Sequence, residues 1–116
     1  MDHQDIERLA LRVMEAHGCH TAITYGSRAR GDATPDSDVD LLCVREEGAA
    51  VRDARVVDGV YLDAFVYPES AFKTLDPSFL RILGGAVVRE RDGFGTALLT
   101  RVREMHDSGP PAMPDD

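Results

Sequence analysis

The run Val39-Asp40-Leu41-Leu42-Cys43-Val44 constrains this chain more than any other segment. A short apolar stretch of this kind reads as a β-strand, and it is the most strand-like run in the protein. It also carries a contradiction. Asp38 and Asp40 stand at its beginning, and residues two apart on a strand point the same way, so both carboxylates share one face. Whatever sheet forms around this strand must accommodate paired negative charge at its edge.

A second apolar stretch, Thr21 to Tyr25, suits a buried strand and runs straight into Gly26-Ser27-Arg28-Ala29-Arg30-Gly31. Asp32 to Ser37, polar and containing Pro35, reads as loop. Upstream, Ile6, Leu9, Val13 and Met14 recur at helical spacing within Asp2 to His17, with Asp2 available as N-cap and Gly18 as stop. Downstream of the acidic strand, a charged loop spans Glu46 to Arg52. Ala54 to Val57 and Val60 to Tyr67 then flank Asp58-Gly59, the dipeptide of a two-residue type I′ hairpin. Pro68 closes the second of those strands. Ser70 to Gly84 suggests one or two short helices with Pro77 in a first turn. Ala86 to Arg89 reads as a last short strand, and Phe94 to Met105 as a closing helix. The expected domain is therefore residues 1–106, followed by a Pro- and Asp-rich tail or linker over 107–116. The fold class is α/β in the α+β sense: a mixed, mainly antiparallel sheet covered by helices.

Composition narrows the partners. A chain of 116 residues has room for one domain. Thirteen Lys plus Arg against 21 Asp plus Glu leave a net charge of −8. That field repels phosphate and argues against a broad nucleic-acid-binding face. No apolar run is long enough to span a membrane and the N-terminus lacks signal-peptide order, which predicts a cytoplasmic protein. Two cysteines exclude a disulfide scaffold and a four-cysteine zinc site. The basic residues are all Arg except Lys73, so side-chain contacts to phosphate would come from guanidinium groups.

Asp63 lies in the second hairpin strand between Leu62 and Ala64, on the face of Tyr61 and Phe65. If its strand neighbours the acidic one, three carboxylates converge. At about 4 Å each like-charge pair costs on the order of 4 kcal/mol at an effective dielectric of 20. A domain stable by roughly 5–15 kcal/mol needs compensation for that. Two Mg²⁺ ions bound by carboxylate oxygens and substrate phosphates would provide it. The Gly26-Ser27 turn suits the same chemistry, because the glycine lets a phosphate approach the backbone and Ser27 adds a hydroxyl at a helix start. Arg28 and Arg30 stand beside it.

Two other motifs fail on the letters. Gly26 to Gly31 matches half of a P-loop, but Asp32 and Ala33 replace the required Lys and Ser/Thr. Asp36, Asp38, Asp40 and Glu47 fall on EF-hand ligand positions, but Leu41 stands where the loop needs Gly. Plainer readings apply elsewhere. Cys19, His20 and His17 read as packing and capping, Cys43 as a core thiol, and Tyr61, Phe65 and Tyr67 as core or sheet-face residues, one of which could stack on a base. His3 and His106 carry no signal.

The stretch from Gly26-Ser27 through Asp38-Val39-Asp40-Leu41 resembles the signature of the minimal nucleotidyltransferases of the DNA polymerase β-like superfamily, over roughly residues 20 to 90. The superfamily also holds antibiotic nucleotidyltransferases and the antitoxins paired with HEPN toxins. The resemblance implies that Asp38 and Asp40 bind both metal ions. It implies that Asp63 is the third carboxylate, binding the catalytic metal and deprotonating an acceptor hydroxyl, and that Gly26 and Ser27 hold a nucleoside triphosphate, with Arg30 as a further candidate contact. The expected activity is transfer of a nucleoside monophosphate, AMP from ATP, to a hydroxyl on a partner protein, a small molecule or a nucleic-acid end. The alternatives are an antitoxin-like module that neutralises a toxin partner by contact, and the catalytic part of a two-domain transferase, since many members carry a second, helical domain.

Overall fold

The structure, a computed structural model, describes residues 3–26, 31 and 38–109. It begins with helix α1 (His3–His17), whose buried residues Leu9, Ala10, Val13 and Met14 form one stripe. Gly18 ends the helix with a φ of 67°, a conformation that Gly adopts without a Cβ penalty. The expected cap at Asp2 lies outside the described residues.

Strands β1 (Thr21–Tyr25), β2 (Val39–Arg45), β3 (Val51–Val57) and β4 (Val60–Pro68) follow. Two short 3-10 helices, Glu69–Phe72 and Pro77–Ile82, lead to β5 (Ala86–Arg89) and helix α2 (Phe94–Asp107). The second 3-10 helix starts on Asp76, whose side chain accepts a hydrogen bond from the Ser78 amide at 2.8 Å, with Pro77 in its first turn.

The sheet order is β3-β4-β2-β1-β5. Strands β2 and β4 pair in parallel; β1–β2, β1–β5 and β3–β4 are antiparallel. The expected mixed, mainly antiparallel sheet is what forms. Strand β2 lies in the middle, and Val39 and Leu41 to Val44 are all fully buried. A strand covered on both faces needs no alternation, which is why its sequence reads as a continuous apolar run.

Each face has its own core. Under α1, Leu41, Cys43, Leu62, Ala64 and Val66 meet the helix stripe. On the opposite face, Ile23, Leu42 and Val44 pack against Phe72, Phe79, Ile82, Leu98 and Val102 from the 3-10 helices and α2. Burying a single such side chain contributes about 1.5–3 kcal/mol, so these two layers hold the sheet and whatever it displays.

One expectation needs correction. The sequence predicts loop over residues 46–52, with the first hairpin strand starting at Ala54. Strand β3 in fact starts at Val51 and takes in Arg52 and Asp53. It is an edge strand with most of its side chains exposed, so burial leaves no apolar pattern in its sequence. The turn itself forms as expected, with positive φ at both Asp58 (52°) and Gly59 (80°).

Candidate active site

The parallel β2–β4 ladder sets Asp40 opposite Asp63 as Cα partners, and the antiparallel β1–β2 ladder sets Tyr25 against Asp40 on its other side. Alternation places all three side chains on the face covered by the 3-10 helices and α2, since Leu41 and Leu62 point to the α1 core. Asp40 and Asp63 thus project from two adjacent inner strands of the sheet, near the start of β2.

Gly26 leaves the end of β1 with a φ of 82°, and a Cβ there would lie 2.7 Å from Asp40 Oδ2. Two demands meet at this position: a left-handed backbone and a carboxylate where any side chain would go. The glycine expected to admit a phosphate therefore also makes room for Asp40. Asp38 is exposed just before β2. Ser27, Arg28 and Arg30 lie outside the described residues.

Charge at the site is unbalanced around Asp40. Burial raises its carboxyl above the ordinary carboxylate value, and the neighbouring charges of Asp63 and then Asp38 raise it further. Burial also pushes the Tyr25 hydroxyl up; a hydrogen bond with Arg81 opposes this, while Asp40 and Asp63 reinforce it. Tyr25, Arg81, Asp40 and Asp63 therefore share one electrostatic neighbourhood.

Asp63 has a partner that the sequence reading missed. Arg52 on β3 donates from Nε to Oδ1 and from Nη2 to Oδ2, each at 2.8 Å. This is the two-pronged geometry in which a guanidinium binds a carboxylate most strongly. A signal for it was present. A two-residue turn at Asp58-Gly59 fixes the register, pairing Ala54 with Asp63 and placing Arg52 two residues along on the same face.

Beyond it, the Phe65 ring lies 5.4 Å from the Arg52 guanidinium and 5.3 Å from that of Arg81. Arg81 also donates to the Tyr67 hydroxyl at 2.9 Å. Phe65 and Tyr67 are thus engaged within the fold, whereas Tyr61 is 41% exposed.

The other singled-out residues behave as packing. His17 pairs with Asp53 at 2.8 Å, and His20 bridges Thr21 (2.7 Å) and Glu69 (2.8 Å). Cys43 is fully buried.

Carboxylate oxygens are the donors that hard divalent cations take, and Asp40 and Asp63 stand in register on adjacent strands. The donor chemistry fits such an ion, with Asp38, Asp40 and Asp63 as the residues that would hold it. Among the described residues, no group of three or more His, Cys, Asp or Glu side chains is gathered to hold an ion. The expected convergence takes the form of a pair in register, with Asp38 exposed before it and Asp63 bound to Arg52.

The nucleotidyltransferase domain family matches residues 6–79, more than half of the chain. The chain belongs to that family. The match runs from within α1 into the second 3-10 helix and so includes Gly26, Asp38, Asp40 and Asp63. The fold agrees with that of a solved nucleotidyltransferase-like protein from Exiguobacterium sibiricum 255-15, with a TM-score of 0.59 at 14% identity. The likeness covers 84% of this chain and 38% of that one. No curated protein matches. Among the described residues, this nucleotidyltransferase domain has no helix long and apolar enough to cross a membrane.

Proposed function

We propose that this domain transfers a nucleoside monophosphate, AMP from ATP, to a hydroxyl on a protein or small-molecule acceptor, in a Mg²⁺-dependent reaction. The observation that carries the reading is the pairing of Asp40 with Asp63 on adjacent strands, beside a glycine whose Cβ would meet Asp40. Membership of the nucleotidyltransferase family supports the reaction class.

In this reading the acceptor oxygen forms a bond to the α-phosphorus as the bond to the β-phosphate oxygen breaks, releasing pyrophosphate. Asp63 takes the acceptor proton on a carboxylate oxygen. Gly26 lets the triphosphate lie against the backbone, and Ser27 and Arg30 contact its oxygens. Asp38, Asp40 and Asp63 would hold two Mg²⁺ ions, which when bound supply positive charge to the reacting phosphate. The sheet's contribution is positioning: side chains carried on paired inner strands need little ordering at the moment of reaction. The net charge of −8 disfavours a nucleic-acid acceptor.

A second reading, in which this is the catalytic part of a two-domain transferase, draws support from the solved neighbour, of which the likeness covers 38%.

The test is calorimetric titration of ATP into the purified chain, with Mg²⁺ and then with chelator, beside an Asp38→Asn/Asp40→Asn double variant. The expected result is binding that needs Mg²⁺ and is lost in the variant. Absence of binding in every condition would overturn the reading for the isolated chain and favour the second one.

A further inference from the structure

Arg52 has no place in the reaction proposed for the site, yet it binds one of its carboxylates at both oxygens. We propose that Arg52 is the resident counter-charge of Asp63, holding that carboxylate when no cation is bound, and that a divalent cation must displace its guanidinium to engage Asp63. The inference rests on the metal-dependent reading of the site and adds to it a competitor built into the fold.

Three observations support it. The contact is two-pronged, with both Asp63 oxygens accepting at 2.8 Å, so neither oxygen is free of the guanidinium. Exposure is lopsided: the Arg52 side chain is 57% exposed and that of Asp63 only 17%. Asp63 is therefore held in the sheet while Arg52 has solvent to move into. Finally, Arg52 lies on β3, the edge strand, and among the described residues no strand lies beyond it to obstruct a swing. Phe65, 5.4 Å from the guanidinium, gives it an aromatic face to rest on.

The electrostatics decide which cation prevails. A divalent ion on the Asp63 oxygens would sit within a few ångströms of a fixed positive charge, and that repulsion exceeds what a largely exposed ion pair is worth. The ion and the guanidinium therefore exclude each other. Without the ion, Arg52 limits the repulsion between Asp63 and Asp40. With the ion, that role passes to the metal. Apparent metal affinity is then lower than the carboxylates alone would give.

The experiment is a titration of the full chain with Mn²⁺ alone, followed by the electron paramagnetic resonance signal of free Mn²⁺. Wild type is compared with Arg52→Gln, Arg52→Lys and Asp63→Asn, and each protein is also melted in chelator. Arg52→Gln is expected to bind Mn²⁺ about fivefold more tightly than wild type, the equivalent of one exposed ion pair. It should also melt lower in chelator and gain more from added Mn²⁺. Arg52→Lys keeps the charge without the fork and should fall between the two, which also supplies the test if the Gln variant does not fold. Wild-type binding with equal or weaker binding by both Arg52 variants would overturn the proposal, leaving Arg52 to orient Asp63. Absence of Mn²⁺ binding in wild type and both Arg52 variants would instead overturn the metal-dependent reading on which it rests.

Discussion

Asp40 and Asp63 are Cα partners across the parallel β2–β4 pairing, and among the described residues a guanidinium lies on the Asp63 carboxylate and none on that of Asp40. The asymmetry matters because burial, and after it the charges of Asp63 and Asp38, raise the Asp40 carboxyl above the ordinary carboxylate value. A domain of this size keeps a half-buried charge beside like charges only at a cost in stability. Asp40→Asn, which keeps the shape and removes the charge, is therefore expected to raise the melting temperature in chelator by several degrees, or about 1 kcal/mol. The same variant should lose Mg²⁺-dependent ATP binding. Thermal melts in chelator check the first half; an unchanged or lower midpoint would show that the Asp40 charge is not crowded.

The pH dependence of that gain has a definite sign. A carboxyl with a folded-state value above its unfolded one binds more protons folded than unfolded, so stability falls as pH rises through the interval between the two. For Asp40 that interval opens at the ordinary carboxylate value and extends upward. Wild type should lose stability across it and Asp40→Asn should not, so the variant's advantage is absent in acid and complete above the interval. Urea midpoints measured in chelator across mildly acidic to neutral pH will show whether the two curves separate in that direction.

Gly26 answers to two separate constraints, which mutation can divide. Ala at this position would hold a φ near 82° and bring its Cβ 2.7 Å from Asp40 Oδ2. The backbone penalty is about 1 kcal/mol and the contact adds to it, so Gly26→Ala should destabilise by about 1–3 kcal/mol. Combining it with Asp40→Ala removes the contact and leaves the backbone term, so the double variant should recover part of the loss. Denaturant unfolding of the four proteins in the cycle measures the coupling. Additive effects would mean that the carboxylate turns aside at no cost.

Much of the site was legible because burial writes itself into sequence. Strand β2 reads as apolar because it is covered on both faces, and the two aspartates stand out against that run. The Asp58-Gly59 dipeptide announces its turn because few other residues accept two successive positive φ angles. Arg52 was missed for the opposite reason. An edge strand with exposed side chains has no apolar period, so Val51 to Asp53 looks like the charged loop before it. The adjacency of β2 and β4 depends on a parallel pairing between strands separated by a third one, which no local pattern encodes. Only the hairpin register, counted outward from its turn, could have brought Arg52 to Asp63.

A last prediction concerns the opposite face, where α1 is tied to the edge strand. Asp53 accepts from Arg55 and pairs with His17 at 2.8 Å. The Arg55 hydrogen bond is the main force holding the Asp53 carboxyl below the ordinary carboxylate value, with His17 adding to it against the effect of burial. Here the linkage runs opposite to that of Asp40. A depressed folded value means stability that is present above the unfolded value and lost as pH falls through the folded one. Asp53→Asn should therefore be less stable than wild type at neutral pH, by about 1 kcal/mol for a partly exposed pair. The gap should close as the pH falls below the ordinary carboxylate range, where wild type loses the same interaction. Urea midpoints of the two proteins at neutral and acid pH provide the check. A gap that stays constant on acidification would mean that Asp53 stabilises the α1–β3 junction by shape and not by charge.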